Sequence, residues 1–285
     1  MTHMSIPKTY KLFVGGKFPR SESGRVYEVT SPRGEFLANV ALASRKDARD
    51  AVVAARSAFS GWSHATAYNR GQVLYRIAEM LDGRADQFVS ELRQQSGCSE
   101  KVARAEVSAA IDMWVWYAGW ADKYTQVAGN ANAVSGPFFN LSVPVPTGVV
   151  VAVAEQSGHG LVGLVSAIAP ALVTGNTVVV VANASQPLAA MTFAEVVATS
   201  DVPGGVVNIL TGNVAEIMPW MANHGDVNAL DLSGANGEPW AEWEAEASAT
   251  LKRVVRPVSD ALSLSVSRIS SLVETKTVWH TKSLA

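Results

Sequence analysis

Val149-Val150-Val151-Ala152-Val153-Ala154 and, a little further on, Thr177-Val178-Val179-Val180-Val181 are the two stretches that decide the fold. Neither alternates polar with apolar residues, so each reads as a strand buried on both faces. Between them, residues 161–173 form an apolar segment of helical length. The alternation then continues. Pro187 opens a helix running to about 199, and residues 206–210, 229–232 and 252–256 read as strands, separated by helices at 213–223 and 238–249. Strands joined by crossover helices make a parallel sheet covered on both faces, and right-handed crossovers wind it doubly. The expectation is an α/β protein with a Rossmann-like, mostly parallel five-stranded sheet.

Upstream, the pattern changes to helical. Lys11-Leu12-Phe13-Val14 before Gly15-Gly16 suggests a strand entering a hairpin. Ser44 followed by Asp47 resembles a capping box, and Ala48, Val52, Ala55 and Phe59 then share one helix face. Val73, Ile77 and Met80 repeat that spacing. A long helix from about Ser99 carries Val107, Ile111, Trp114 and Ala118 and ends near Gly129-Asn130. Its aromatics Trp114, Trp116, Tyr117 and Trp120 are expected in the core rather than on a binding surface. Phe139, Leu141, Val143 and Val145 alternate with Asn140, Ser142 and Pro144, which predicts a strand with one buried face. Pro144 and Pro146 forbid a central position, so the strand is expected at a sheet edge or leaving its sheet there. Residues 259–271 hold six serines in thirteen positions and read as a connector. After it, Val273, Thr275, Thr277 and Trp279 mark a terminal strand.

Composition removes several classes of function. Of 285 residues, 48% are hydrophobic and 17% charged, too apolar for a disordered chain. A net charge of −2 offers no basic field for nucleic acid. Pro170 and Gly175-Asn176 interrupt the most apolar stretch, so no segment of about 20 residues suits a membrane, and the N-terminus shows no targeting pattern. Cys98 is the one cysteine, which excludes an internal disulfide and suits a reducing cytoplasm.

Several short motifs, in order and at consistent spacing, give the chain a resemblance to the aldehyde dehydrogenase superfamily. They are Leu12-Phe13-Val14-Gly15-Gly16, Ala43-Ser44, Ala105-Glu106-Val107, Gly175-Asn176-Thr177-Val178-Val179, Pro203-Gly204-Gly205-Val206-Val207-Asn208 with Thr211-Gly212, and Leu251-Lys252-Arg253-Val254. The resemblance implies a Rossmann-like cofactor domain (1–128 and 146–257, with an N-terminal helical layer) and a protruding arm for oligomerisation (129–145 and 272–281). The family's catalytic domain lies between the last Rossmann strand and the final arm strand. Here only the connector 258–271 stands there, so the catalytic domain is missing from the middle while the arm is kept.

The family's chemistry maps poorly onto these residues. Cys98 precedes the cofactor strands, where the family has no nucleophile, and only a thiolate would attack an aldehyde. The family's oxyanion asparagine is replaced within Glu155-Gln156-Ser157-Gly158-His159, with Ser157 nearest, and its general base by Pro257. No catalytic residue is assigned. The ribose-binding Lys-Pro-x-Glu becomes Val181-Ala182-Asn183-Ala184, in which Asn183 could make one bond from a shifted position. The pyrophosphate turn becomes Leu232-Ser233-Gly234-Ala235, followed by the unfavourable charge of Glu238. Ser233, Gly234 and Gly212 are the vestigial cofactor-binding candidates, for no cofactor or weak NAD(P). His159, His64, His224 and His280 lack metal-ligand spacing.

Three functions follow from the resemblance. The first is a non-catalytic subunit that assembles with a full-length aldehyde dehydrogenase, or with itself, through Phe139, Leu141, Val143, Thr275, Thr277 and Trp279. The second is a subunit taking part in NAD(P)-dependent aldehyde oxidation. The third is a nucleotide-binding sensor.

Overall fold

The computed structural model describes residues 8–282. Strands β1 (Thr9–Tyr10), β2 (Val26–Thr30) and β3 (Phe36–Ala41) form a small sheet in the order β1-β3-β2. The expected hairpin forms as a short one at Gly15-Gly16: Val14 and Lys17 exchange both backbone bonds, at 2.9 and 3.0 Å, and the Leu12 N–H donates to Pro19 O at 3.0 Å. Phe13, buried, also exchanges both backbone bonds with Ile209 of the main sheet, at 3.0 and 2.7 Å.

Helix α1 (Arg45–His64) begins at a complete capping box: Ser44 Oγ accepts the N–H groups of Lys46 and Asp47, and Asp47 Oδ2 accepts the N–H of Ser44 at 2.8 Å. The buried Asp47 carboxylate also takes the Ser21 hydroxyl at 2.7 Å and the Glu22 N–H at 3.0 Å, so it fastens the entry loop to the helix. Ala48, Val52 and Ala55 are buried as their spacing predicts, and the stripe finishes on Trp62 rather than on the half-buried Phe59. Helices α2 (Ala67–Asp82), α3 (Ala85–Ser96), α4 (Glu100–Trp120) and α5 (Tyr124–Ala128) complete the helical layer. Sequence periodicity passes over α3, whose buried apolar stripe is only Phe88, Val89 and Leu92. Of the α4 aromatics, Trp114 and Tyr117 are buried, whereas Trp116 and Trp120 are half-exposed.

After β4 (Asn130–Asn132) and β5 (Phe138–Pro146), the chain enters the main sheet. It runs β6 (Val149–Val153), α6 (Val162–Val173), β7 (Thr177–Val181), α7 (Pro187–Ala198), β8 (Val207–Leu210), α8 (Val214–Ala222), β9 (Ala229–Asp231), α9 (Trp240–Ala247) and β10 (Arg253–Val255). All five strands are parallel, in the order β10-β9-β6-β7-β8. Every residue of β6 and β7 is buried, as two-sided cover requires. On one face, Trp114 of α4 stacks on Phe193 of α7 with ring centroids 5.8 Å apart, and its indole N–H has no hydrogen-bond partner.

The connector is not featureless. It contains α10 (Val266–Ser270) and buries Arg268, Ile269 and Leu272 before β11 (Val273–Thr281). Strand β11 pairs antiparallel with β5 along its whole length, from Val273 opposite Pro146 to Thr281 opposite Phe138. The arm sheet is ordered β11-β5-β4, so β5 is central where β4 runs beside it and an edge at Pro144 and Pro146, where β4 does not reach. The reason is geometric. The Lys282 N–H bonds to Pro137 O at 2.7 Å, and alternation from there makes His280–Phe139, Val278–Leu141 and Lys276–Val143 the hydrogen-bonded pairs. Pro144 and Pro146 therefore turn their nitrogens away from β11, on the side where β4 has already ended opposite Ser142. The missing N–H groups cost nothing there.

Two outcomes test this packing. Trp114→Ala should destabilise the fold by roughly 3–5 kcal/mol; Trp114→Phe, which forfeits no hydrogen bond, should cost less than half of that in denaturant unfolding. Asp47→Ala leaves the Ser44 and Glu22 N–H groups unanswered and should cost about 2 kcal/mol by the same measurement.

Candidate functional site

In the order β8-β7-β6-β9-β10 the winding reverses between β6 and β9, and open α/β sheets bind ligands at the carboxyl ends of the strands flanking such a reversal. Ser233 and Gly234 lie there, immediately after β9. The Ser233 N–H donates to Asp231 Oδ1 at 3.1 Å, and Ser233 is buried. A Cβ on Gly234 would stand 2.5 Å from the Val153 carbonyl oxygen and 2.6 Å from the Glu155 nitrogen, so this loop closes directly onto the end of β6. Gly212 is elsewhere. It follows β8, three strand spacings or about 14 Å across the sheet from β9. There its φ of +136° and close approach to Leu42 and Ala43 shape the entry to α1. Ser233 and Gly234 thus lie together at the switch point, and Gly212 lies apart from them on the same carboxyl edge.

The gap between the β6 and β7 ends is bridged by two side-chain amides that sequence reasoning left without this role. Gln156 Nε2 donates to Ala154 O at 2.8 Å and to Ala182 O at 3.4 Å, while its Oε1 accepts the Ala184 N–H at 3.1 Å. Asn183 Nδ2 donates to Glu155 O at 2.9 Å, and its Oδ1 accepts from Ser185 and Gln186. Both ends of the Asn183 amide are thus engaged, and the residue is buried, so of its polar groups only the second Nδ2 hydrogen is left for the shifted ribose bond. Val181 and Ala182, in the family's ribose-binding positions, are fully buried. Ser157 is exposed and donates to Glu155 Oε1 at 3.4 Å.

The connector enters the same crevice. The Val258 N–H lies 3.5 Å from Ser233 O, Ser166 of α6 donates its hydroxyl to Ala261 O, and Ala261 and Leu262 line a space with Val153, Glu155, Gly163 and Gly234 that admits no water molecule. Glu155 Oε2 is buried there without a partner. Deeper, Arg268 Nη2 reaches Ser166 O at 2.9 Å and Asp231 Oδ2 at 3.2 Å. Removing one member of such a buried pair typically costs 3–5 kcal/mol. Tyr117 packs beside it. Burial pushes that phenol up to about 12, against the pull of Arg268 and with a further push from Asp231, so it stays protonated at neutral pH. The only hint of this arrangement in the sequence is Arg268 itself, a lone cation among apolar positions Val266, Ile269 and Leu272 spaced by three.

A dinucleotide needs room for its pyrophosphate, donors for its charge and acceptors for its ribose hydroxyls. The crevice offers a filled volume, an unpaired carboxylate oxygen and an occupied amide. The residues present do not fit NAD(P). Catalytic groups are not gathered there either. Cys98 sits on the turn between α3 and α4, half-buried and packed on the core, and Pro257 stands at the general-base position. His159 is half-exposed, with Nδ1 3.8 Å from Glu106, whose other oxygen takes the Leu161 and Val162 N–H groups at the start of α6. Among the described residues, no three His, Cys, Asp or Glu side chains are placed to hold a metal, and no helix is long and apolar enough to cross a membrane. Beside the crevice, a cavity of about 500 Å³ lies between α4, the start of α6 and Leu262 and Leu264.

The comparisons agree with the architecture. The sequence pattern of the aldehyde dehydrogenase family matches residues 18–255. The D-glyceraldehyde dehydrogenase (NADP(+)) of Thermoplasma acidophilum is 30% identical over 230 residues, covering 79% of this chain and 45% of that enzyme. Mouse cytosolic 10-formyltetrahydrofolate dehydrogenase is 30% identical over 238 residues, 81% of this chain and 26% of that protein. An aldehyde dehydrogenase of Bacillus cereus, solved as its NAD+ complex, superposes with a TM-score of 0.79 at 27% identity over 87% of this chain and 50% of that one. The chain thus spans about half, or less, of the length of these relatives. With the matched segment running from the entry loop to β10, and a Rossmann-like sheet in the expected order, this chain belongs to the aldehyde dehydrogenase family.

Proposed function

We propose that this chain is a non-catalytic aldehyde dehydrogenase-family subunit, which serves NAD(P)-dependent aldehyde oxidation by assembling through its arm with a full-length, active family member. The observation that carries the reading is the state of β11. Val273, Thr275, Thr277, Trp279 and Thr281 occupy the non-hydrogen-bonded positions opposite β5, so their backbone N–H and C=O groups point to the free edge of the arm sheet. An unpaired edge nine residues long is a template for another chain's strand.

The six residues expected to make the contact divide between two faces. Phe139, Leu141 and Val143 share one face with Val278, and Phe139, Leu141 and Val278 are exposed. Thr275, Thr277 and Trp279 belong to the other face, with Asn140 and Ser142. There Asn132 donates to Asn140 Oδ1 at 2.6 Å and to Ser142 Oγ at 2.8 Å. Docking then uses the outward backbone of β11 together with the apolar face beneath it, not a single patch of six side chains. The arm is held to the main sheet by a bidentate pair between Arg253 and Glu274, both bonds 2.9 Å.

Two experiments test this reading. Mixed with the most similar full-length aldehyde dehydrogenase of its own organism, the chain should co-elute with it in size-exclusion chromatography and give a defined mass by native mass spectrometry. Thr275→Pro with Thr277→Pro removes two outward N–H groups while sparing the ladder to β5, and should abolish the complex while leaving core unfolding unchanged. A monodisperse chain that ignores the full-length enzyme would sink the reading. Separately, the lone chain should form no NAD(P)H from aldehydes, and Cys98→Ser should leave the activity of the assembled complex unaltered.

A further inference from the structure

The geometry points to residues 258–272 as a built-in strap that fills the switch-point crevice in place of a dinucleotide and locks this Rossmann fold without cofactor. The segment is fastened at its start, middle and end. At the start, Val258 N–H faces Ser233 O and Val258 O accepts from Asn236 Nδ2 at 3.2 Å, which ties it to the loop that would meet a pyrophosphate. In the middle, Ala261 O takes the Ser166 hydroxyl, and Leu262 packs against the core beside Gly163 and Ala167 of α6. Farther on, the Arg268 guanidinium is inserted between Asp231, the last residue of β9, and the Ser166 carbonyl. At the end, Ile269 and Leu272 are fully buried, the Tyr124 hydroxyl meets Ser270 Oγ at 3.2 Å, and Asn176 Nδ2 donates to Leu272 O at 2.9 Å.

Charge supports the same conclusion. Glu155 Oε2 is buried in the crevice without a donor, and the Arg268 guanidinium is inserted between Asp231 and the Ser166 carbonyl. A diphosphate would meet a buried carboxylate there. Arg268 keeps Nε and Nη1 buried and unanswered, a costly state that persists only because Ile269 and Leu272 anchor the turn that carries it. The strap thus takes over two tasks at once. It occupies the ligand crevice, and it covers apolar surface of α4 and α6.

The test uses the full chain alone, so its outcome is independent of any assembly through the arm. In hydrogen–deuterium exchange, amides 258–272 should be protected together with the ends of β6 and β9. Titration with NAD+ and with NADP+ at millimolar concentration should give neither saturable heat nor a change in melting temperature. Arg268→Ala should speed exchange across 258–272 by about a hundredfold, as expected for a broken buried pair. Arg268→Met combined with Asp231→Leu should restore most of the protection, because an apolar pair leaves no buried charge unpaired. Free-peptide exchange of 258–272 in the wild-type chain would overturn the assignment. So would saturable NAD+ or NADP+ binding that protects 154–157 and 232–236. Should Arg268→Ala not fold, the wild-type exchange and titration decide between these results.

Discussion

The placement of β11 against β5 constrains everything that happens between residues 255 and 273. Strand β10 ends at the carboxyl edge of the parallel sheet, whereas β11 begins opposite Pro146, just before β6 starts at the amino edge. The chain must therefore cross the thickness of the domain in 17 residues. Asn176 fixes the far end of that path: its Oδ1 accepts the Gly148 N–H at 2.8 Å and its Nδ2 holds the Leu272 carbonyl, so one buried amide ties the β5–β6 turn to the start of the arm strand. A segment leaving β10 and bound for that point passes over the ends of β9 and β6 and then down beside α6. The crevice is filled because the return path runs through it.

The parallel sheet was legible in the sequence because its signal is energetic and redundant. Two valine-rich runs with no polar alternation, at 149–154 and 177–181, have few alternatives to a doubly covered sheet, and the three strands that follow them along the chain join the same parallel sheet. The capping box at Ser44 and Asp47 was equally plain, since its two residue types and three-residue spacing encode a specific pair of hydrogen bonds. What escaped the sequence was decided by tertiary context. Helix α3 carries too short an apolar stripe to stand out. The hairpin at Gly15-Gly16 could be read from its turn, but not the docking of Phe13 on Ile209 of β8, which joins it to the main sheet. The place of β5 hinged on which way Pro144 and Pro146 faced, and that depends on a register set by Lys282 and Pro137, far from the prolines themselves.

The site divides along the same line. The expectation of no catalytic residue rested on residue types alone, a single cysteine ahead of the cofactor strands and Pro257 after β10. The roles of Gln156 and Asn183 could not be read that way, because an amide at the end of a strand is equally able to hold a ribose or to stitch two loops together. Ser233 and Gly234 lie where the turn pattern put them, and Gly234 packs so closely against Val153 that a side chain has no room there. Gly212 bears a glycine signature for the unrelated reason that its backbone angle and its contact with Leu42 tolerate nothing larger. Serine richness masked the connector. Its composition suggested a tether, while three apolar residues and one arginine at a spacing of three determined its structure.

This separation explains how a dinucleotide-binding architecture can persist while the residues at its ligand crevice change. The fold is specified by strand interiors and helix faces, which bury the great majority of the core, whereas ligand recognition rests on the few loop residues at the carboxyl edge. Changing Lys-Pro-x-Glu to Val181-Ala182-Asn183-Ala184 disturbs none of the strand packing, because Val181 is buried in the same ladder as the rest of β7. Yet an open crevice left without a ligand would expose the ends of β6 and β9 and one face of α6. Closing it from within, by the buried Arg268–Asp231 pair and by Leu262, Ile269 and Leu272 of the connector, gives those surfaces a partner within the chain itself.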